Sequence, residues 1–143
     1  MTRQDGDDIF REIEHTGDVG IDIEADSRAE LFRRAAIAIA RLMVDTAGVR
    51  ALESRNLSVA AATDVDLMHD LLSELLRCFV VDGFVWSDAT VEEADGGLKV
   101  SLFGEPFDAA RHEFHQEIKA VTYHQLAVRH ERGRWFARVI FDV

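Results

Sequence analysis

The amino-acid sequence predicts a two-layer α+β fold, in which two helices pack on one face of a mostly antiparallel, mixed β-sheet. The order of the hydrophobic patterns is strand, helix, strand, helix and then an uninterrupted run of strands. Only two stretches have helical periodicity, and they must cover roughly five to seven strands, whereas a doubly wound α/β fold requires more helices. Because no repeat or linker divides the 143 residues, we predict a single domain over residues 1–143.

The first predicted strand and helix lie near the N-terminus. Residues 19–25, VGIDIEA, alternate between apolar and polar side chains, as a strand with one solvated face does. Ser27 followed by Glu30 has the pattern of a capping box, in which the hydroxyl accepts the N3 amide and the carboxylate returns to the cap amide. We expect the helix to run from there to about Val44 with one apolar face.

The remaining elements follow in the same order. Residues 53–61, ESRNLSVAA, are predicted as a strand, and Asp64 as the N-cap of a second amphipathic helix that ends at Gly83. An irregular loop, GEPFDAARHEFHQE, separates two predicted hairpins. The hairpins turn at ADGG and at ERG, and their strands are FVWSDATVEE, LKVSLFGE, IKAVTYHQLAVRH and RWFARVIFDV.

The charge balance excludes some classes of function. The net charge is −11 with the histidines neutral, and no long run of Lys or Arg is present. A phosphate backbone requires clustered cations, so direct nucleic-acid binding is not the expected activity. A negatively charged protein is better suited to bind a metal ion or a basic protein partner.

The single cysteine, Cys78, cannot form an internal disulfide. The acidic N-terminus, MTRQDGDDIF, lacks a signal-peptide core, and no apolar run could span a bilayer, so we expect a soluble, cytoplasmic protein without a membrane partner.

Acidic residues stand at the ends of two predicted strands. Asp18 precedes the first strand beside Gly17, and it is either an ordinary turn residue or a metal carboxylate on a rigid strand. Asp142 and Val143 end the last strand, and the alternative there is a frayed terminus. If that strand is central, the Asp142 side chain and the Val143 α-carboxylate are two hard oxygen donors close together. One further carboxylate would complete a site for Ca²⁺, Mg²⁺ or Mn²⁺, but the spacing does not assign this role to Asp18.

Three histidines and a lysine are further candidates. His112, His115 and His124 could form a zinc site with an open position, although a His-x-x-His pair in a loop is weak evidence. The alternatives are loop histidines beside an acid and a histidine at a sheet edge. Lys119 lies in an apolar strand segment, where a lysine either occupies the solvated face or binds a phosphate or an acidic partner group. The sequence has no phosphate loop, nucleophile elbow, kinase or dinucleotide-binding signature.

Several motifs taken together resemble one known family, the archeases. The segment EHTGDVGIDIEADSRAELFRRAAIAIARLMVD is similar to the opening of that family, where Glu-His-Thr-Ala-Asp, a hydrophobic residue and Gly lead into a strand and a Ser-capped helix. Later motifs follow in the same order as LLSELL, GEPFD with His112 after it, IKAVTYH and the terminal VIFDV. The resemblance covers Glu14 to Val143. The chain departs from the pattern at Gly17, where the family often has Ala, and in HEFHQE, so no role is assigned to His115.

The resemblance implies a protein cofactor without catalytic activity of its own. Archease-like proteins activate the RtcB-type tRNA-splicing ligase, which joins RNA ends with GTP and a divalent metal. They promote guanylylation of the ligase histidine, allow repeated turnover and relax the nucleotide preference. The family's metal site falls on Asp18, Asp142 and Val143, and its functionally important lysine falls on Lys119. RNA would then be contacted only through the ligase.

Two other functions remain open from the sequence. A metal-dependent phosphoesterase acting alone would need a water-activating metal and the histidine set. A chaperone-like binding module would need a sizeable exposed apolar patch, and its metal would be incidental.

Overall fold

The computed structural model describes residues 9–15 and 17–143, with Glu14 and His15 described as backbone alone. Thr16 and residues 1–8, which form most of the acidic segment MTRQDGDDIF, lie outside the described residues, and so does the predicted absence of a signal peptide there. A short 3-10 turn, Thr46–Gly48, follows the first helix. In chain order the helices and strands are β1 (Arg11–His15), β2 (Asp18–Ala25), α1 (Arg28–Met43), β3 (Glu53–Ala60), α2 (Asp64–Val80), β4 (Phe84–Ala94), β5 (Gly97–Pro106), β6 (Ala120–Val121), β7 (Ala127–Glu131) and β8 (Arg134–Asp142).

The structure confirms an α+β fold with two helices and antiparallel strands, and it divides the strands between two sheets rather than one. The first sheet has the order β1-β2-β8-β6, with β7 also paired to β8, and the second has the order β3-β5-β4. Every strand pair in the described part of the chain is antiparallel, so the predicted mixed character is not found there. Hairpins join β4 to β5 and β7 to β8, and a hairpin imposes antiparallel pairing.

The C-terminal strand β8 lies in the interior of the first sheet. One edge pairs with β2 in a continuous register from Trp135 opposite Ala25 to Asp142 opposite Asp18. The other edge pairs with β7 over its first residues and with β6 over its last two. The end of the chain is therefore held by strands on both sides.

Helix α1 contacts both sheets. It begins at the predicted cap, where the Ser27 hydroxyl accepts the Glu30 N–H at 3.1 Å, and it ends at Met43. It packs on β2 and β8 of the first sheet and on β4 of the second. The indole of Trp86 in β4, which is 1% exposed, donates a 2.9 Å hydrogen bond to the carbonyl of Ala36. The helix thus joins the two sheets through packing and through one buried hydrogen bond.

Helix α2 begins one residue earlier than predicted. The cap is Thr63, not Asp64, because Thr63 has the extended backbone of a cap residue and its hydroxyl accepts the Asp66 N–H at 3.1 Å. Asp64 is already helical and occupies the first turn, where its negative charge is favourable. Its carboxylate accepts a 2.6 Å hydrogen bond from Arg28, which ties the start of α2 to the start of α1.

The segment predicted as one long strand, IKAVTYHQLAVRH, forms two short strands. The break falls at Gln125, whose φ of 55° is in the left-handed region and ends the extended backbone. The Leu126 N–H donates to the Tyr123 carbonyl at 3.2 Å and closes the turn. As a result β6 and β7 pair with different parts of β8.

A single cluster of buried apolar side chains contains residues from both helices and both sheets. The β-strands contribute alternate residues to it, and α1 contributes the alanines and large apolar residues of its inner face. Neither helix in the described residues has the length and hydropathy needed to cross a membrane.

The close approach of β5 to β4 leaves no room for a side chain at Gly104 of β5, and a substitution there tests this restriction. A Cβ at this position would overlap the carbonyl oxygen of Val85 and lie 2.6 Å from the Cα of Trp86. Because these are backbone atoms, no side-chain rotation relieves the overlap, and we expect Gly104→Ala to lower the free energy of unfolding by ~3 kcal/mol or more. Urea denaturation followed by tryptophan fluorescence measures the change.

The matched control is Gly48→Ala. A Cβ at Gly48 would meet only the Arg111 carbonyl oxygen, at an ordinary 3.7 Å. Its expected change is less than ~1 kcal/mol. Equal unfolding free energies for the two variants would contradict the proposed steric restriction at Gly104.

Candidate functional site

Two carboxylates face each other at one end of the first sheet. Asp18 is the first residue of β2, Asp142 is the last residue of β8, and the antiparallel register places them directly opposite. Ile21 and Phe141 of the same strands are fully buried, and strand alternation places Asp18 and Asp142 on the opposite face of the sheet. Directly opposed residues have Cβ atoms about 5 Å apart, so both carboxylates can contact one small ligand.

The charges of this pair favour a cation. Like charges directly opposite each other in a sheet are destabilising, and a bound cation removes the repulsion. Asp18 is half-buried and Asp142 is exposed, so the pair is open to solvent on the Asp142 side. Carboxylate oxygens are the donors that Ca²⁺, Mg²⁺ and Mn²⁺ prefer.

The chain terminus next to this pair is not frayed. The Asp142 carbonyl accepts the Lys119 N–H at 2.7 Å, and Asp142 lies opposite Ala120 of β6. The Val143 side chain is half-buried and packs against the hydrophobic core. The backbone of Val143 is therefore held one residue beyond Asp142. The fixed terminus is the arrangement that a metal ligand set including Val143 requires.

The donor set of the candidate metal site consists of oxygen atoms. In residues 9–13 and 17–143, whose side chains the structure describes, no three His, Cys, Asp or Glu side chains form a metal-binding group. Within those residues, a site built on Asp18 and Asp142 takes its further donors from groups other than a third such side chain. Two carboxylates and a terminal carboxylate fit a hard divalent cation and do not resemble a zinc site.

Lys119 lies beside the carboxylate pair. Its backbone is fixed by the hydrogen bond to Asp142, and its side chain is exposed. Within the described residues its ammonium group forms no ion pair, although the protein carries a net charge of −11. A lysine whose backbone is held at the end of this sheet carries a positive charge that can bind an anionic group.

The predicted zinc alternative is wrong for the three histidines. His112 is buried and uses both ring nitrogens within the protein. His115 and His124 are exposed, and His124 lies in the turn between β6 and β7. The three do not form a metal-binding group, because the loop holding His112 and His115 packs against the end of α1 and not against this turn.

A buried charge network around Glu105 was not anticipated from the sequence. Glu105 is 3% exposed, and one of its oxygens accepts the Arg50 N–H at 2.8 Å, Arg111 Nη2 at 2.5 Å and His112 Nε2 at 2.9 Å. The other oxygen accepts from the Arg50 guanidinium at 3.2 and 3.3 Å. The Arg50 N–H above all, with Arg111 and His112, holds the pKa of Glu105 well below its ordinary value.

The hydrogen bonds of His112 define its tautomer. Nδ1 accepts the Asp108 N–H at 2.9 Å, so this nitrogen carries no proton and the ring is neutral. Nε2 therefore bears the proton and donates it to Glu105. The Arg111 guanidinium lies 3.1 Å from Nε2 because both groups donate to the same carboxylate. Two sequence signals pointed to part of this network: the motif GEPFD followed by His112, and the alternative of loop histidines beside an acid, which the structure confirms for His112.

An aromatic pair connects the turn after β6 to α2. Tyr123 stacks on His69 with ring centroids 4.1 Å apart and an interplanar angle of 13°. Its hydroxyl donates to Asp66 at 2.9 Å, and this hydrogen bond raises the pKa of Tyr123. The contacts fix the chain just beyond β6 and involve a residue of the IKAVTYH motif.

The comparison with known families identifies the chain. Residues 10–143 match the family described as the Archease protein family (MTH1598/TM1083). The chain belongs to the archease family. It is 38% identical over 138 residues to the protein archease of Methanopyrus kandleri, which covers 94% of this chain and 99% of that protein. It is 34% identical to the protein archease of Pyrococcus abyssi, over 91% of this chain and 95% of that one.

Solved structures of archease-like proteins have the same fold. The solution structure of Methanobacterium thermoautotrophicum protein 1598 matches with a TM-score of 0.76 and 33% identity, over 94% of this chain and 98% of that one. The crystal structure of the Thermotoga maritima protein, described as an archease and possible chaperone, matches with a TM-score of 0.67 and 23% identity. It covers 93% of this chain and 96% of that one, and at this identity it supports the fold alone. Family and fold therefore agree with the resemblance of the sequence motifs.

The Glu105 network predicts a specific loss of stability in acid. A carboxyl group whose folded-state pKa is depressed stabilises the fold above its unfolded-state pKa, here near 4.5, and this contribution is lost as the pH falls through the folded-state value. We expect the wild-type protein to lose unfolding free energy below about pH 4.5 more steeply than Glu105→Gln, which has no titrating group there. Glu105→Gln should be less stable than the wild-type protein at pH 7, because the NH₂ group of the glutamine would face hydrogen-bond donors that now bind the carboxylate.

Urea denaturation at a series of pH values from 7 to 3 measures these slopes. Glu92→Gln, at an exposed position of β4, is the control and should follow the wild-type curve. Parallel curves for the wild-type protein and Glu105→Gln would rule out this contribution of the buried carboxylate.

Proposed function

We propose that this archease-family protein activates an RtcB-type RNA ligase in tRNA splicing or RNA repair. It would promote the metal-dependent guanylylation of the ligase and so permit repeated rounds of ligation. The observation that carries the proposal is the opposed pair Asp18 and Asp142 beside a fixed chain terminus. Two carboxylates placed opposite each other in a sheet supply oxygen donors of the kind that a divalent cation binds.

The proposed ligand set for the cation is Asp18, Asp142 and the α-carboxylate of Val143. The two aspartates are carried by paired strands of one sheet and Val143 directly follows the second strand, so the oxygen donors are held on a rigid scaffold. A bound Ca²⁺, Mg²⁺ or Mn²⁺ would neutralise the negative charge of the phosphates during nucleotidyl transfer. The contribution of the chain is to present these oxygens at the end of the sheet, where Asp142 is exposed.

Lys119 supplies the matching positive charge in this proposal. Its ammonium group is a compact point charge, and such groups bind phosphate in many sites. Held next to Asp142 by its own backbone N–H, it would bind a phosphate of the nucleotide or an acidic group of the ligase. This role requires an ammonium group that is not already paired, as observed within the described residues.

The overall charge supports a protein partner rather than RNA. With a net charge of −11, the protein would be repelled by a phosphate backbone and attracted to a basic, RNA-binding enzyme. We propose that RNA is contacted only through the ligase and that the protein acts in the cytoplasm. We also propose that it has no catalytic activity of its own, because it would supply ligands and charge to the active site of the ligase.

A chaperone-like binding module is the second candidate, and one feature favours it. Val80, Val81 and Phe114 are apolar side chains that are 65%, 63% and 49% exposed. Val80 and Phe114 line a groove of about 430 Å³ whose lining also includes Phe79 and Phe107. An exposed apolar area of this kind is a common site of protein association. A phosphoesterase acting alone has less support, because the histidine set that it requires is not assembled.

The carboxylate pair gives the first functional prediction. Asp142→Asn should weaken Ca²⁺ or Mn²⁺ binding, measured by calorimetry, by ~100-fold or more, because a direct ligand is lost. In EDTA the same variant should be at least as stable as the wild-type protein, since a like-charge pair has been removed. Asp95→Asn, at the exposed turn between β4 and β5, is the matched control for loss of one aspartate.

The same variants test the activator function. A limiting amount of a cognate RtcB-type ligase is combined with GTP, metal and RNA ends, with each protein in turn. We expect the wild-type protein and Asp95→Asn to convert single-round ligation into many rounds, and Asp18→Ala and Asp142→Asn to fail. A fully active Asp18→Ala variant would refute the metal-site assignment, and turnover of a phosphoester by the purified protein would favour the independent enzyme.

Lys119 gives the second functional prediction. Lys119→Ala should reduce multiple-turnover ligation by about 100-fold, the order expected when one charged donor to a transferring phosphate is removed. Its circular dichroism and thermal stability should be unchanged because the side chain is exposed. Lys99→Ala is the matched control, since Lys99 is the other lysine of the chain and is exposed on β5 of the second sheet. Equal loss of activity in both variants would contradict a specific role of Lys119.

A further inference from the structure

The buried network around Glu105 has no place in the proposed chemistry. Glu105 and His112 are 3% and 5% exposed, and they belong to a motif that lies before the loop leading to Lys119. Replacing a buried ion pair by apolar residues is often neutral or stabilising, so burial of these groups is weak evidence for a stability role. Groups of this kind are better explained when they specify one conformation of the chain around them.

The chain around the network is irregular and leads to the candidate site. Residues 107–119 connect β5 to β6, and their backbone has almost no regular secondary structure apart from one isolated bridge between Phe114 and Val44. The backbone of Lys119, at the end of this segment, is nevertheless fixed beside Asp142 by a hydrogen bond. Three sets of contacts along the segment hold its backbone in one conformation.

The first set fixes the start of the segment. Asp108 donates its N–H to His112 Nδ1 at 2.9 Å and accepts the His112 N–H with its own carbonyl at 2.7 Å. The ring of His112 is then held by Glu105, which Arg50 and Arg111 hold in turn. The turn at residues 108–112 is thereby locked onto β5 and onto the chain after α1.

The second and third sets fix the rest of the segment. The Asp45 N–H donates to the Glu113 carbonyl at 2.9 Å, and the His115 N–H donates to the Met43 carbonyl at 2.7 Å, so the middle of the segment pairs with the end of α1. Ile118 is then buried at 2% exposure, and the Lys119 N–H binds Asp142. The contacts follow one another directly from His112 to Lys119.

We infer that Glu105 and His112 are positioning residues for Lys119. They fix the register of the segment at residue 112, and the pairing of residues 113–115 with α1 carries that register to Ile118 and Lys119. The functional part of this inference rests on the role of Lys119 in the proposed function. Neither side chain touches the candidate metal ligands in the described structure, and both act through the backbone of the segment.

Substitutions at His112 separate positioning from packing. His112→Phe keeps a buried ring next to Phe107 but removes the acceptor for Asp108 and the donor for Glu105. His112→Gln can still donate to Glu105 and is the conservative rescue. If His112→Phe does not fold, Arg111→Ala, at a half-exposed position, removes one donor to Glu105 with less disturbance. Val59→Ala removes buried side-chain volume from β3, outside the segment, and is the control for a loss of global stability.

The first readout is amide hydrogen exchange by NMR and does not involve the ligase. In His112→Phe, exchange of the Lys119 amide should accelerate at least tenfold more than exchange of the Ile39 amide, which lies inside α1 and reports global opening. In Val59→Ala the two amides should accelerate by the same factor. In His112→Gln both should stay within about threefold of wild type, and in Arg111→Ala the change should be smaller but selective for Lys119.

The second readout is activation of the ligase. Loss of positioning should lower the maximal multiple-turnover rate in His112→Phe by up to ~100-fold, as expected for a misplacement of about 1 Å. The concentration that gives half-maximal activation should be unchanged, and His112→Gln should restore the rate. Equal acceleration of the Lys119 and Ile39 amides in His112→Phe, or an unchanged maximal rate, would overturn the positioning role. Absence of activation by the wild-type protein would instead overturn the proposed function, and the exchange result would still decide whether His112 holds the segment.

Discussion

Pairing of β8 on both of its edges is the constraint on which the candidate site depends. β2 holds one edge over the full length of the strand, and β6 holds the other edge at the very end. This pairing brings together residues that are far apart in the chain: Asp18 at the start of β2, Asp142 at the end of β8 and Lys119 just before β6. A strand at the sheet edge would be paired on one side only, and its last residues would be held less firmly.

Two acidic residues outside the candidate site, Asp22 and Glu105, accept hydrogen bonds from cationic side chains. Asp22, on the same sheet face as Asp18, accepts from Arg138 at 2.8 and 2.9 Å, and this contact lowers its pKa. Glu105 is surrounded by donors in the same way. At the sheet end the pattern is different, because Asp18 faces Asp142 and a carboxylate opposes a carboxylate. Two carboxylates that end paired strands side by side are the arrangement that a hard divalent cation can bridge, and this opposition is the physical reason for regarding the pair as a candidate ligand site.

The rigidity of the sheet end depends on α1. This helix packs on β2 and β8 and also on β4 of the second sheet, where the buried indole of Trp86 bonds to the helix backbone. The end of the same helix pairs with residues 113–115 of the segment that carries Lys119. One helix therefore supports both the strands that carry the carboxylates and the loop that carries the lysine, which keeps the two parts of the candidate site in a fixed relation.

Local patterns were sufficient to predict much of this structure. The alternation of VGIDIEA, the Ser27 cap, the two helices and the β4–β5 hairpin follow from interactions within a few residues, and the structure confirms them. The sequence also indicated Asp18 and Asp142 as residues at strand ends. It placed the second cap at Asp64 instead of Thr63, since both residues are good caps and only the backbone conformation separates them.

Pairing between distant segments was decided by the tertiary structure alone. No local pattern reveals that β3 pairs with β5 and β2 with β8, so the division into two sheets and the opposition of Asp18 to Asp142 could not be read from the sequence. The Glu105 network likewise joins Arg50, Arg111 and His112 through burial, which a linear pattern of polar residues does not predict. Sequence periodicity determines which face of an element is apolar, whereas the packing of those faces against one another determines which polar residues meet.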